Sequence, residues 1–94
     1  MFARVVRIEM PADKIEQAAA TLKQGAPNLR SAAGFQRAEW IYHPDTSTIT
    51  SVVVFDSLAN ADAAWDTRGK AVMERMQAMG GTFTRSDGEV IHHL

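Results

Sequence analysis

Trp40-Ile41-Tyr42-His43-Pro44-Asp45-Thr46-Ser47-Thr48-Ile49-Thr50-Ser51-Val52-Val53-Val54-Phe55-Asp56-Ser57 is the stretch that decides the fold. Aromatic and β-branched residues crowd both of its ends and favour a pleated backbone. Its middle, Pro44 to Ser47, reads as a turn: proline presets φ, and Asp45 can hydrogen-bond its own backbone. Two strands follow, Phe35 to His43 and Thr48 to Phe55, with Gly34 at the entry of the first. Asp56 or Ser57 then offers a side-chain oxygen to the first free N–H groups of a helix.

Upstream, Phe2 to Met10 (FARVVRIEM) reads as strand one. Side chains alternate across a strand. Phe2, Arg4, Val6, Ile8 and Met10 therefore share one face, and Ala3, Val5, Arg7 and Glu9 the other. The first set is the more apolar and should meet helices. Pro11 stops the strand. Asp13 and Glu16 fit a capping box, and Ile15, Ala18, Ala19, Leu22 and Ala26 recur at helical spacing. Pro27 ends or kinks that helix near Gly25 and suits the start of a short further turn to Ala33. Gly34 closes it as a left-handed cap.

On strand two, Phe35, Arg37, Glu39, Ile41 and His43 alternate with Gln36, Ala38, Trp40 and Tyr42. Downstream, a helix is expected from Leu58 to Met79. Gly69 costs such a helix about 1 kcal/mol against alanine and divides it into Leu58–Trp65 and Lys70–Met79. Val72, Met73, Met76 and Met79 form an apolar stripe suited to core packing or to the border of an apolar pocket. Gly80-Gly81 stops the helix. Thr82–Thr84 reads as a short extended piece, Ser86-Asp87-Gly88 as a turn, and Glu89 to His93 as the last strand.

The order is β-α-β-β-α-β, the ferredoxin-like α+β arrangement, with two helices on one face of an antiparallel sheet. Two helices cover one face only. The open face, expected to carry Trp40 or its neighbours, Arg7 and a terminal histidine, must meet solvent, a ligand or a second subunit. Two such sheets meeting face to face would resolve this.

At 94 residues the chain makes one domain, spanning 1–94. A chain of this size buries only about two-thirds of its unfolded surface, so a dimer interface would add stability. Ten Lys and Arg oppose eleven Asp and Glu. The basic residues are scattered, which gives no footprint for nucleic acid. Cysteine is absent, so disulfides and thiolate chemistry are excluded. No apolar run reaches the roughly 18 residues of a membrane span, and no signal-peptide pattern opens the chain. A soluble cytoplasmic protein is expected. Phosphate loops, metal-ligand spacings and nucleophile elbows do not occur, and neither a cofactor nor a metal is expected.

Gly34-Phe35, the hairpin with His43-Pro44-Asp45-Thr46, the strand ending Val54-Phe55-Asp56-Ser57, and Ala61 to Trp65 after it resemble the dimeric α/β barrel superfamily. The likeness is to its antibiotic-biosynthesis-monooxygenase-like branch, and it covers nearly the whole chain. It implies homodimers whose sheets close into a barrel, with small aromatic or quinol-like molecules, or haem, bound between sheet and helices. It also implies, for some members, oxygenation without metal or flavin. Trp65 matches the helix-two tryptophan of the branch. The strand-one asparagine is not found near Arg7 and Ile8. Arg75 stands where haem-degrading relatives carry their iron-ligating histidine.

Trp65 is the candidate for stacking on a ligand, or else a core aromatic. His92 and His93 lie on opposite faces of the expected last strand, so one of them points inward as a candidate general base, as a satisfied interface residue, or as an alternative haem ligand. Glu89 shares a face with His93 and could orient it. Trp40 and Tyr42 line a cavity or the dimer interface, where such residues are enriched. Arg7 and Glu39 are expected to face each other, as an ion pair at the interface or in solvent in preference to a charged pair in a ligand cavity. His43 reads as a solvated turn residue. Three functions remain open: a cofactor-independent monooxygenase, a ligand- or haem-binding protein without turnover, and a structural dimer module filled by side chains.

Overall fold

β3 (Thr48–Phe55) and β1 (Phe2–Glu9) run antiparallel through the middle of the sheet, with Phe2 opposite Phe55 and Ile8 opposite Ile49. A computed structural model describes residues 1–94. β2 (Phe35–His43) pairs with the far side of β3, and β4 (Thr82–Glu89) with the far side of β1, giving the order β2-β3-β1-β4. Every pairing is antiparallel. The two hairpin strands have the bounds expected from the opening stretch.

Both helices lie on one face of this sheet. α1 (Ile15–Gly25) buries Ile15, Ala18 and Leu22 and passes into a 3₁₀ turn, Ala26–Ser31, with Pro27 in its first turn. The expected Asp13 cap is not made: Lys14 holds the N-cap position and no side chain caps the helix. Ser57 does cap α2 (Leu58–Ala64), its Oγ accepting from the Asn60 N–H at 3.2 Å. The helix does not break at Gly69. It widens into a π turn, Trp65–Gly69, and continues as α3 (Lys70–Ala78). A Cβ on Gly69 would stand 2.8 Å from Cε3 of Trp65. Glycine is therefore needed where the indole lies against the helix backbone.

Val6, Ile8, Met10, Ile15, Ala18, Leu22, Ile49, Met73 and Met76 form the main core. The methionine stripe is thus core, with Met79 packed at its margin. A smaller cluster joins Phe55, Ala61 and Ala64. Phe35 meets Phe55 edge-on there, with ring centroids 6.1 Å apart.

Two strand assignments change. A bulge between Phe35 and Arg37 shifts the pairing, so that Phe35 opposes Phe55 while Trp40 opposes Ser51. One extra residue turns later side chains to the other face. Phe35 thus joins Ala38, Trp40 and Tyr42 on the helix-covered face, and Trp40 is not on the open face. Arg37, Glu39, Ile41 and His43 take the open face. The last strand is also not Glu89–His93. Ser86-Asp87-Gly88 belongs to β4, paired with Val5, Arg4 and Ala3. A local turn composition is overridden by pairing along the whole edge of β1. Val90 to Leu94 follow the strand as irregular chain.

Candidate functional site

The most informative side chain is Arg4. It sits on the helix-covered face of a central strand, only 5% exposed. A guanidinium in such a place must find partners, because an unpaired buried charge is very costly. Arg4 finds three. Nε donates to Asp87 Oδ1 at 2.8 Å and Nη2 to Asp87 Oδ2 at 2.9 Å. Nη2 also donates to Asp62 Oδ1 at 2.6 Å, and Nη1 to the Ala61 carbonyl at 3.1 Å. Strand pairing places Asp87 directly opposite Arg4, and α2 brings Asp62 down from above. β1, β4 and α2 are tied at one point. Hydrogen bonding to Asp87 drives the Arg4 pKa up against the opposing effect of burial. The same bond holds the Asp87 carboxyl below its ordinary value.

Trp65 packs beside this cluster. The Arg4 guanidinium lies 5.8 Å from its ring centroid and that of Arg85 4.9 Å, both within cation–π range. Phe83 packs at 5.9 Å, tilted by 52°. The π turn and Gly69 complete the seat.

Arg4 and Trp65 border a cavity of about 110 Å³ between sheet and helices. Its other walls include Trp40, Ser51, Val53, Val72 and Met73, and its mouth includes Leu29 and Arg68. Arg68 reaches from the π turn to the Asn28 carbonyl and the Ser31 hydroxyl on the 3₁₀ turn. An engineered apolar cavity of roughly 150 Å³ holds benzene; this space is smaller and takes one ring at most. A larger cleft of about 390 Å³ lies on the other side of Leu22, Ala26 and Trp40, with Tyr42 at its edge. The walls are apolar and offer no unpaired carboxylate.

The candidates from sequence therefore separate. Trp65 and Trp40 meet at the cavity, and Tyr42, 47% exposed, borders the cleft. Arg7 and Glu39 do not meet, because β3 lies between their strands. Both point to the open face, where Arg7 approaches Glu9 at 3.9 Å. His92 and His93 stand beyond β4 and are exposed, so the alternation that would turn one of them inward does not apply. Glu89 ends β4 opposite Phe2, and no strand carries it toward His93. Haem does not fit the cavity, which has the volume of one ring and no histidine in its wall. Nor does any group of three or more His, Asp or Glu side chains gather as a metal site. His43 hydrogen-bonds Thr50 Oγ1 at 3.0 Å.

Arg4 and Asp87 were not singled out from sequence. One signal was there: an arginine in the apolar phase of strand one, which demands an acidic partner on a neighbouring strand or helix. Asp87 was hidden by its place in an apparent turn.

No family model matches the chain, and no curated protein does. Solved structures do. A candidate antibiotic biosynthesis monooxygenase from Deinococcus radiodurans superposes with a TM-score of 0.87 at 11% identity, over 100% of this chain and 96% of that one. SnoaB, a cofactor-independent oxygenase from Streptomyces nogalater in its N63A form, gives 0.75 at 15% identity, over 99% and 95%. A dimeric ferredoxin-like protein from an uncultured marine organism gives 0.73 at 14% identity, over 100% and 98%. What they share with this chain is the fold: ferredoxin-like, as built in antibiotic-biosynthesis-monooxygenase-like proteins. No helix is long and apolar enough to cross a membrane.

Proposed function

We propose that the chain binds a small, uncharged aromatic or quinol-like molecule in the cavity between sheet and helices, and oxygenates it without a cofactor. The observation that carries this is the Trp65 seat: an indole held by Arg4, Arg85, Phe83 and Gly69 at the wall of an apolar, one-ring space. A preorganised aromatic wall in a largely apolar pocket is the usual make-up of a small-molecule site. In such a reaction the substrate supplies the electrons. The substrate loses two hydrogens overall, one from the ring carbon that is oxygenated and one net from its hydroxyls; that carbon gains one oxygen atom of O2, and the other oxygen atom leaves as water.

The chain works as a homodimer through its open sheet face. Val5, Val52 and Ile41 supply apolar surface there among Arg7, Arg37 and Glu39, and the dimeric ferredoxin-like neighbour supports the same assembly. Native mass spectrometry of the purified protein checks it, a dimer being expected and a monomer counting against it.

Oxygen uptake with a panel of single-ring quinols tests the activity. Trp65→Phe should lower uptake about three- to tenfold, the worth of one aromatic pairing. Uptake unchanged by that substitution would remove Trp65 from the site. A second reading, binding without turnover, has its own support: no His, Asp or Glu lines the cavity, and the nearby carboxylates of Asp62 and Asp87 are engaged by Arg4. Calorimetric binding of a quinol with no oxygen uptake would favour it.

A further inference from the structure

Ser51 is a polar residue without a protein partner. It stands in the middle of β3, opposite Val6 on one side and Trp40 on the other, facing the helices. The residue is 6% exposed. Of the other polar side chains in the cavity wall, Thr21 donates to the Gln17 carbonyl, Arg68 to Asn28 and Ser31, and Arg4 to Asp87, Asp62 and Ala61. The Ser51 hydroxyl makes no hydrogen bond within the chain. Yet every side-chain oxygen or nitrogen that is fully enclosed by protein has a partner. The Ser51 oxygen must therefore reach open space, and the space it borders is the cavity.

A ligand that displaces water from this hydroxyl on the sheet floor without pairing it leaves it unsatisfied, at a cost of roughly 1–3 kcal/mol. The hydroxyl thus discriminates strongly, because an apolar ligand cannot satisfy it. Arg4 adds to the same floor. A guanidinium has five N–H donors; four bonds are accounted for, which leaves one Nη1 hydrogen without a protein acceptor. Its charge is already balanced by Asp87 and Asp62. The floor thus offers a neutral oxygen its hydrogen bonds and its one cation is already balanced, while Arg68, which has no carboxylate partner, stands at the mouth.

We infer that Ser51 is the polar anchor of the cavity and selects a ring bearing a phenol or carbonyl oxygen over the bare hydrocarbon. This rests on the cavity being a ligand site, as proposed above. The hydroxyl donates to, or accepts from, the ring oxygen, and the remaining Nη1–H of Arg4 is the second donor.

Phenol and toluene, nearly equal in shape, are the probes. Each is titrated into the full chain and followed by the two indole N–H resonances, those of Trp40 and Trp65. Ser51→Ala should weaken phenol binding about fivefold, the worth of one hydrogen bond, and leave toluene binding unchanged. Ser51→Thr, which keeps the hydroxyl and suits a strand, should preserve the phenol-to-toluene ratio. Equal weakening of both probes in Ser51→Ala would show a role in shape alone and overturn the inference. So would no change in either. Failure of the wild type to bind either probe would overturn the cavity reading, and this inference with it, a result distinct from the first two.

Discussion

Arg4 and Arg7 lie on the same strand and on opposite faces of the sheet. Arg4 is 5% exposed and gripped by carboxylates at 2.6 and 2.8 Å. Arg7 is 56% exposed, and its closest carboxylate, that of Glu9, is 3.9 Å away and itself open to water. The same side chain is thus a structural rivet on one face and a solvated charge on the other. Position decides, because a pair near water is screened and gains little, whereas losing one partner of a buried pair strands the rest.

The largest effect expected from breaking this contrast is that of Arg4→Ala. It removes the only cation paired with Asp62 and leaves Asp87 with the distant Arg85 at 3.8 Å, at a cost of about 3 kcal/mol, the low end for a broken buried pair because both acids reach water. Thermal denaturation should show Tm lower by about 12–24 °C. Asp87→Asn keeps the shape and should cost about 2 kcal/mol at neutral pH, read by urea unfolding. Its pH dependence sharpens the point. Arg4 depresses the Asp87 pKa, so the stabilisation is complete above the unfolded carboxylate value near pH 4 and fades as pH falls through the lower folded value. The variant should lose that acid limb, and its deficit against wild type should shrink below about pH 4. A constant deficit down to pH 2 would deny the coupling.

Gly69→Ala comes next. Intrinsic propensity predicts a gain of about 1 kcal/mol, but the new methyl meets the Trp65 ring. A net loss of about 1 kcal/mol, with a changed near-ultraviolet signal from the indole, is expected. Arg7→Ala is the smallest, below about 0.5 kcal/mol in the same unfolding assay. A loss matching that of Arg4→Ala would mean that the open face is buried and that Arg7 is paired across an interface.

The hairpin strands and the helix-facing phase of β1 were legible because their causes are local: β-branched runs, a proline turn and strict alternation. What stayed hidden depends on remote partners. The bulge at Gln36 shows only once β2 is laid on β3, and it moved Trp40 to the covered face. β4 reads as a turn until β1 pairs with it, which also displaced the expected strand bearing His92 and His93. Of the candidate site, Trp65 was visible as a lone aromatic on a helix. Ser51 was not, since a serine in a valine-rich strand gives no sign that its hydroxyl lacks a partner.

The π turn has a genealogical consequence. It amounts to one residue inserted into a helix, and each residue turns a helix by about 100°. Ala61 and Ala64 face the core before it, and Met73 and Met76 after it. Regular α spacing from Ala64 over the same residues would carry Arg68 and Arg75 inward and rotate Met76 away. A deletion of a single codon between Trp65 and Gly69 would instead remove the π turn and leave Met76 facing the core, one position nearer Ala64. A shorter descendant would thus keep the methionine core and lose the turn that seats Trp65.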